Sequence, residues 1–315
     1  MKILSLFDGI SCARVALERS KHIVERYFAS EVDKYAIQIS SKNFPDVIQI
    51  GDVKMVAHKD APIHYKLDDI DLLIGGSPCQ DLSIAKKDRK GLDGERSSLF
   101  WEYVRILKEV KPKYFILENV ASMSRESKDT ITKELGVEPI MINASLVSAQ
   151  NRKRLFWTNI PNVVLPDDRG ILLKDILENG DFYGLYSDYN NSTTFDKSRT
   201  LGTGCGVTRS ATCQQVITKP VRIAKIGKGG QGDRVYSIEG KSVNLSANGG
   251  GRGAKTGLYA IKDFVRKLTP VECERLQGLP DNYTEGVSNT QRYKALGNAF
   301  NVDVVAHILS FIPKC

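Results

Sequence analysis

Between residues 1 and 160 short apolar runs alternate with stretches of helical character, and this alternation constrains the fold more than any other feature of the chain. The runs cover residues 3–7, 27–30, 72–75, 114–117, 140–143 and 155–158. Strands separated by helices predict an α/β class fold built on a doubly wound, mostly parallel sheet. Ligands of such sheets bind beyond the carboxyl ends of the strands, so the residues that follow each run are where chemistry is expected.

After Pro161 the alternation stops. Residues 187–257 are rich in Ser, Thr, Asn and Gly, and Gly227-Lys228-Gly229-Gly230-Gln231-Gly232 and Asn248-Gly249-Gly250-Gly251-Arg252-Gly253 cannot build long regular elements. Strand-like runs at 235–238, 243–245 and 258–261 interrupt this composition, which predicts a small loop-rich domain and not a linker. Helical character returns at Thr269-Pro270-Val271-Glu272, which offers an N-cap, a first-turn proline and a capping-box acid. The expected division is a catalytic unit at 1–160, a second domain at 161–262, and a C-terminal part at 263–315.

Composition excludes some classes. A 41% hydrophobic content supports a real core, and no apolar run approaches the length of a membrane span. The N-terminal apolar residues meet Asp8 and Gly9 too early for a signal peptide, so a cytoplasmic location is expected. Cys12, Cys79, Cys205, Cys213, Cys273 and Cys315 form no CxxC pair, which points away from a zinc site or a disulfide framework. The net charge of +8 is uneven: residues 161–262 carry 14 basic and 9 acidic groups, whereas residues 263–315 carry 6 of each. A basic middle segment is the footprint of a phosphate-backbone contact, although a solvated basic face has the same composition.

The run at 72–75 leads into Gly75-Gly76-Ser77-Pro78-Cys79-Gln80, which puts Cys79 on a turn that Gly and Pro keep sharp. A free cysteine there is either core filler or a nucleophile. The first run ends in Phe7-Asp8-Gly9-Ile10-Ser11 and lacks the GxGxxG that admits a dinucleotide pyrophosphate. Glu31 lies 22 residues after Gly9, where an acid in this type of sheet binds ribose hydroxyls. Asp52 can accept from an adenine amine and Phe7 can stack on the base. An adenosine ligand without a diphosphate points to S-adenosylmethionine. Taken singly, each acid also reads as a helix cap or a surface charge.

Glu118-Asn119-Val120 is placed directly after the run 114–117, where a carboxylate shares the cleft with Cys79 and can act on a ring nitrogen. In Gln150-Asn151-Arg152-Lys153-Arg154 the alternate arginines point to one face if the segment is extended. Together with a strand-end cysteine, they suggest activation of a heteroaromatic ring and thiolate attack on it.

These residues carry a family resemblance. Phe7-Asp8-Gly9, Gly76-Ser77-Pro78-Cys79-Gln80, Glu118-Asn119-Val120, Gln150-x-Arg152-x-Arg154, Arg275-Leu276-Gln277-Gly278-Leu279-Pro280 and Gln291-x-Tyr293-x-x-x-Gly297-Asn298 resemble the DNA (cytosine-5) methyltransferases in order and spacing. The resemblance covers nearly the whole chain outside 161–262. Ser77 to Ser83, Arg89-Lys90-Gly91-Leu92 and Val147-Ser148-Ala149 look closer to the animal de novo DNA methyltransferases, whereas Gln80 and Gly297-Asn298 look bacterial or phage-like.

The resemblance implies a Rossmann-like methyltransferase that uses S-adenosylmethionine and no metal, with 161–262 as target-recognition domain. It implies Cys79 as the thiolate that adds to C6 of a flipped cytosine, Glu118 at N3, Arg154 near the cytosine carbonyl and Glu118, and Arg152 as support. Phe7, Gly9, Ile10, Glu31, Val32, Asp52, Val53, Pro78, Leu99, Asn298 and Ala299 then line the methyl donor. The segment 81–98, with Lys86, Lys87, Arg89 and Lys90, looks like the loop that closes over the site. Asp8 stands where the family often has alanine, Ser11-Cys12 where it often has Gly-Gly, and Ala299 where serine is common.

Arg209, Gln214, Gln215, Arg222, Arg234 and Arg252 are candidates to read guanine or adenine edges. The implied partners are double-stranded DNA and a cognate restriction endonuclease encoded nearby, with the enzyme acting as a monomer in a bacterial or phage-infected cell. The rivals are a tRNA cytosine-5 methyltransferase and a catalytically silent DNA-binding relative. The chain lacks the Cys-Phe-Thr tripeptide usual in the RNA group, and its intact Cys79, Glu118 and Arg154 argue against silence. A cysteine hydrolase needs an activating histidine, and His22, His58, His64 and His307 lie in no such motif.

Overall fold

A computed structural model describes residues 1–57, 65, 67–77, 99–178, 193–195, 219–226, 230–247, 252–261 and 264–313. The alternating runs form β1 (Lys2–Leu6), β2 (Arg26–Ser30), β4 (Leu72–Gly75), β5 (Tyr114–Val120), β6 (Ile140–Asn143) and β7 (Lys153–Thr158), and the two-residue β3 (Ile48–Gln49) joins them. They make one seven-stranded sheet in the order β3-β2-β1-β4-β5-β7-β6. The first five strands pair in parallel, and β7 enters antiparallel between β5 and β6. The order reverses between β1 and β4, which is the switch point where such sheets open a crevice.

Alternate strand residues go to opposite faces, as the pleat requires. Ile3, Ile74 and Ile116 pack in one core layer, and Leu4, Leu73 and Leu117 in the other. Helices α1 (Cys12–Arg19) and α2 (Lys34–Asn43) help cover the first face. Helices α3 (Leu99–Val110) and α4 (Arg125–Leu135) cover the second, with Phe100, Tyr103, Ile106 and Ile131 fully buried. None of the described helices is long and apolar enough to cross a membrane.

A second sheet has the order β12-β11-β10-β9-β8. It contains β8 (Thr193–Phe195), β9 (Arg222–Ile226), β10 (Arg234–Ser237), β11 (Leu258–Ile261) and β12 (Phe264–Arg266), with a small core of Ala224, Ile226, Val235, Leu258 and Val265. The expected strand at 243–245 does not form. That segment rides on the β6–β7 loop through a single bridge between Gln150 and Ser242, and one bridge makes no ladder.

The C-terminal part returns to the large sheet as α5 (Pro270–Leu276), α6 (Asn289–Asn298) and α7 (Val302–Leu309). The predicted capping box closes α5: Glu272 N donates to Thr269 Oγ1 at 3.1 Å, and Thr269 N donates to Glu272 Oε2 at 2.8 Å. Tyr283 Oη donates to the Ile10 carbonyl at 2.7 Å, and Lys294 Nζ lies 2.6 Å from Asp33 Oδ2. The last 50 residues therefore pack beside the first 40, and the chain enters and leaves the same unit.

Candidate active site

The turn after β1 is left-handed at Phe7 (φ 56°), Gly9 (φ 62°) and Ser11 (φ 58°). Non-glycine residues in that region cost on the order of 1–2 kcal/mol each, so the surroundings must hold them. Asp8 does much of this. Its side chain is buried and accepts from Tyr27 Oη at 2.6 Å and from Ser11 Oγ at 2.5 Å. Burial pushes the Asp8 carboxyl above the ordinary value, and the hydroxyl donors only partly oppose it.

Gly9 N donates to Glu31 Oε2 at 2.8 Å, and Glu31 Oε1 accepts from Val32 N and Asp33 N at 2.8 Å each. Glu31 thus braces the turn while remaining partly exposed at the end of β2. Ser30 Oγ donates to the Gly51 carbonyl at 2.7 Å, which brings Gly51 and Asp52 to the same edge. Asp52 caps the short turn Val53–Met55 through Lys54 N at 3.0 Å. A Cβ added at Gly9 or Gly51 would meet nothing within 4 Å, so both glycines border open space. This glycine-edged cradle, with a carboxylate beside it and no phosphate loop, fits an adenosine-type methyl donor.

The other donor candidates divide. Phe7, Val53 and Leu99 share one hydrophobic cluster, Val32 is 69% exposed, and Asn298 is exposed at the end of α6. Ile10 is buried in the core and Ala299 caps α6, so Ile10 offers the cradle backbone only. Pro78 and Cys79 lie outside the described residues, as do the segment 81–98 with Lys86, Lys87, Arg89 and Lys90 and the candidates Arg209, Gln214 and Gln215. Arg222, Arg234 and Arg252 are exposed on the small unit.

Glu118 does not follow β5 but lies within it. Pairing with β7 extends the strand to Val120, with Glu118 opposite Phe156 and Val120 opposite Arg154. Arg154 Nε then reaches Glu118 Oε1 at 2.7 Å, both side chains 13% exposed. A Cβ on Gly76 would stand 3.3 Å from Glu118 Oε2 and 2.7 Å from Phe300 Cε1, so only glycine lets this turn approach the carboxylate. Asn119 Nδ2 donates to Ser77 Oγ at 3.1 Å and fixes the last described residue before Cys79.

Arg152 lines the same small cavity as Glu118, Arg154, Phe156, Phe300 and Asn301. Its guanidinium donates to Asn244 Oδ1 and to the Ala299 carbonyl, each at 2.9 Å. It therefore ties the β6–β7 loop to the middle segment and to the chain after α6. Sequence alone gives Asn119, Asn244 and Phe300 no role. Only Asn119 left a trace, as the centre of the Glu118-Asn119-Val120 motif.

The sheet order, the open turn without a phosphate loop and the carboxylate and guanidinium paired across β5 and β7 define a Rossmann-like methyltransferase. The sequence profile of the C-5 cytosine-specific DNA methylases matches residues 1–314. The chain belongs to this family and is a DNA (cytosine-5) methyltransferase. It is 32% identical to the type II methyltransferase M.HhaI of Haemophilus parahaemolyticus, over 98% of this chain and 93% of that protein. It is 31% identical to the type II methyltransferase M1.ScrFI of Lactococcus lactis subsp. cremoris, over 96% and 76%. Its fold is similar to the Entamoeba histolytica methyltransferase EhMeth (TM-score 0.68, 16% identity, 99% and 97% covered). It is also similar to S. pombe Dnmt2 (TM-score 0.63, 15% identity, 98% and 97% covered).

Proposed function

We propose that the chain methylates C5 of a cytosine flipped out of duplex DNA, with Cys79 as nucleophile and Glu118, Arg152 and Arg154 completing the site. The observation that carries this reading is the Arg154–Glu118 pair seated against Gly76. Cys79 follows Gly76 by three residues, a chain length that reaches at most about 11 Å. The thiolate of Cys79 adds to C6 of the ring. Glu118 protonates or hydrogen-bonds N3, which moves electron density to C5. Arg154 holds the Glu118 carboxylate and faces the cytosine carbonyl. C5 takes the methyl group, and loss of the C5 proton to a base with expulsion of the Cys79 thiolate then restores the aromatic ring.

S-Adenosylmethionine, when bound, supplies an electrophilic methyl carbon. Glu31 is assigned to the ribose hydroxyls, Asp52 to the adenine amine and Phe7 to the base. Gly9, Ile10, Val32, Val53, Pro78, Leu99, Asn298 and Ala299 complete the pocket. The basic middle segment, 161–262, is assigned to target recognition. Its contacts with phosphates make affinity fall as salt rises. M.HhaI and M1.ScrFI are named type II methyltransferases. The same modification role, beside a cognate endonuclease and as a monomer, is proposed for this chain.

The test is transfer of tritiated methyl groups from S-adenosylmethionine to duplex DNA. Wild-type protein labels DNA and Cys79→Ser does not. Labelling of tRNA but not DNA overturns the substrate assignment. Bisulfite sequencing of DNA from expressing cells then reads the target sequence.

A further inference from the structure

Residues 144–152 connect β6 to β7 and deliver Arg152 and Arg154 to the site. The loop closes on itself, with Ala144 N donating to the Arg152 carbonyl at 3.0 Å and Arg152 N donating to Asn143 Oδ1 at 2.9 Å. A closed loop turns backbone carbonyls inward, and buried carbonyls need donors. Here one side chain from the middle segment supplies donors to two of them. Lys241 is fully buried, and its Nζ donates to the carbonyls of Ser145 at 2.7 Å, Ile171 at 2.6 Å and Ser148 at 3.3 Å. An ammonium has three donors, and three acceptors are present. Asp168 Oδ1 adds a carboxylate at 3.9 Å.

The neighbours of Lys241 grip the same loop from outside. Ser242 N donates to the Ala149 carbonyl at 2.7 Å, and Asn151 N donates to the Ser242 carbonyl at 3.0 Å. Asn244 then meets Arg152 at 2.9 Å. Ser148, whose carbonyl faces Lys241, also accepts through Oγ from Gln150 N at 3.2 Å and from Asn301 Nδ2 at 3.3 Å. Lys241, Ser242 and Asn244 of the middle segment thus set the path of the loop up to Arg152.

We propose that Lys241 is a positioning residue for methyl transfer: its ammonium fills the β6–β7 loop and locks the middle segment to the chain that aligns Arg152 and Arg154. This rests on the catalytic reading of the Glu118–Arg154 pair. Lys241 touches neither donor nor base. Its loss therefore lowers turnover on DNA while leaving the cradle at Gly9, Glu31 and Gly51 intact.

The test uses the full chain. Lys241→Met keeps the stem and removes the ammonium. We expect kcat/KM for duplex DNA to fall about 10- to 100-fold, as misplaced or unsatisfied buried groups do, with the dissociation constant for S-adenosylmethionine within about 2-fold of wild type. Lys241→Ala opens a space for n-propylammonium, which should restore several-fold of the lost rate, whereas n-propanol, similar in shape but uncharged, should not. Wild-type kcat/KM in Lys241→Met, or equal rescue by propanol, overturns the proposal. Failure of both variants to fold, with no recovery in n-propylammonium, also overturns it and leaves Lys241 a purely structural role. Glu118→Gln is run in the same assay. If it is fully active, the catalytic reading fails; if it is inactive while Lys241→Met behaves as wild type, only the role of Lys241 fails.

Discussion

Arg154 Nε lies 2.7 Å from Glu118 Oε1 across the antiparallel seam of β5 and β7. The register explains why. Glu118 is opposite Phe156 and Arg154 is opposite Val120, so Glu118 and Arg154 are diagonal neighbours on one face of the sheet. A carboxylate held this way keeps its orientation toward the Gly76 turn while the guanidinium fixes its second oxygen. Glu118→Gln keeps the shape and removes the charge and the proposed proton source. Methyl transfer should fall by about 10²- to 10⁴-fold, the range of a general acid or base, with little change in melting temperature. A variant with more than half of wild-type kcat would remove Glu118 from the reaction.

The covalent addition proposed for Cys79 makes a separate prediction. DNA carrying 5-fluorocytosine has no C5 proton to lose, so the final elimination cannot occur and the adduct persists. Wild-type protein with S-adenosylmethionine should shift to a denaturation-resistant complex on a gel, and Cys79→Ser should not. Absence of the complex with protein that methylates ordinary DNA would contradict thiolate addition.

Asp8 predicts a pH dependence of stability. Its carboxyl is raised above the ordinary 3.8 by burial, so the folded chain keeps a proton that the unfolded chain releases at lower pH. Stability from this group therefore falls as pH rises from 3.8 through the raised value, by at most about 1.4 kcal/mol per pH unit, and is level beyond it. Asp8→Asn has no such titration. Urea unfolding at a series of pH values should show the wild-type advantage over Asp8→Asn shrinking with pH above 3.8. A difference that grows with pH means the carboxyl is instead stabilised as the anion.

The large sheet was legible because its central strands, β1 and β4, are buried on both faces and read as uninterrupted apolar runs. β3, with two residues, leaves no such run, and the extension of β5 through Glu118 depends on a partner strand that no local pattern reveals. Glu118 and Arg154 were readable because each lies in a short motif beside an apolar run, at 114–117 and 155–158. Arg152 was read beside Arg154 from their alternation, but its contacts were not. Its partners Asn244 and Ala299 are 92 and 147 residues away, and spacing within Gln150 to Arg154 carries no information about them. The segment at 243–245 misled for the opposite reason: its alternation is real, but the loop it lies on offers one bridge and not an edge.

Gly297 offers a prediction whose sign is decisive. It lies inside α6, where replacing glycine by alanine ordinarily stabilises a helix by up to about 1 kcal/mol. A Cβ there would stand 2.3 Å from Ala247 N, 2.6 Å from the Ser246 carbonyl carbon and 2.7 Å from Ala247 Cα. All three are backbone atoms of the middle segment, so no side chain can rotate away. Overpacking of this kind costs about 1–3 kcal/mol or displaces the neighbour, which outweighs the helical gain. Gly297→Ala should lower the melting temperature and weaken binding of duplex DNA, because Ser246 and Ala247 lie two and three residues after Asn244, the partner of Arg152. Thermal unfolding and a DNA titration at fixed salt measure both. A higher melting temperature with unchanged DNA affinity would mean that α6 and the middle segment do not meet at Gly297.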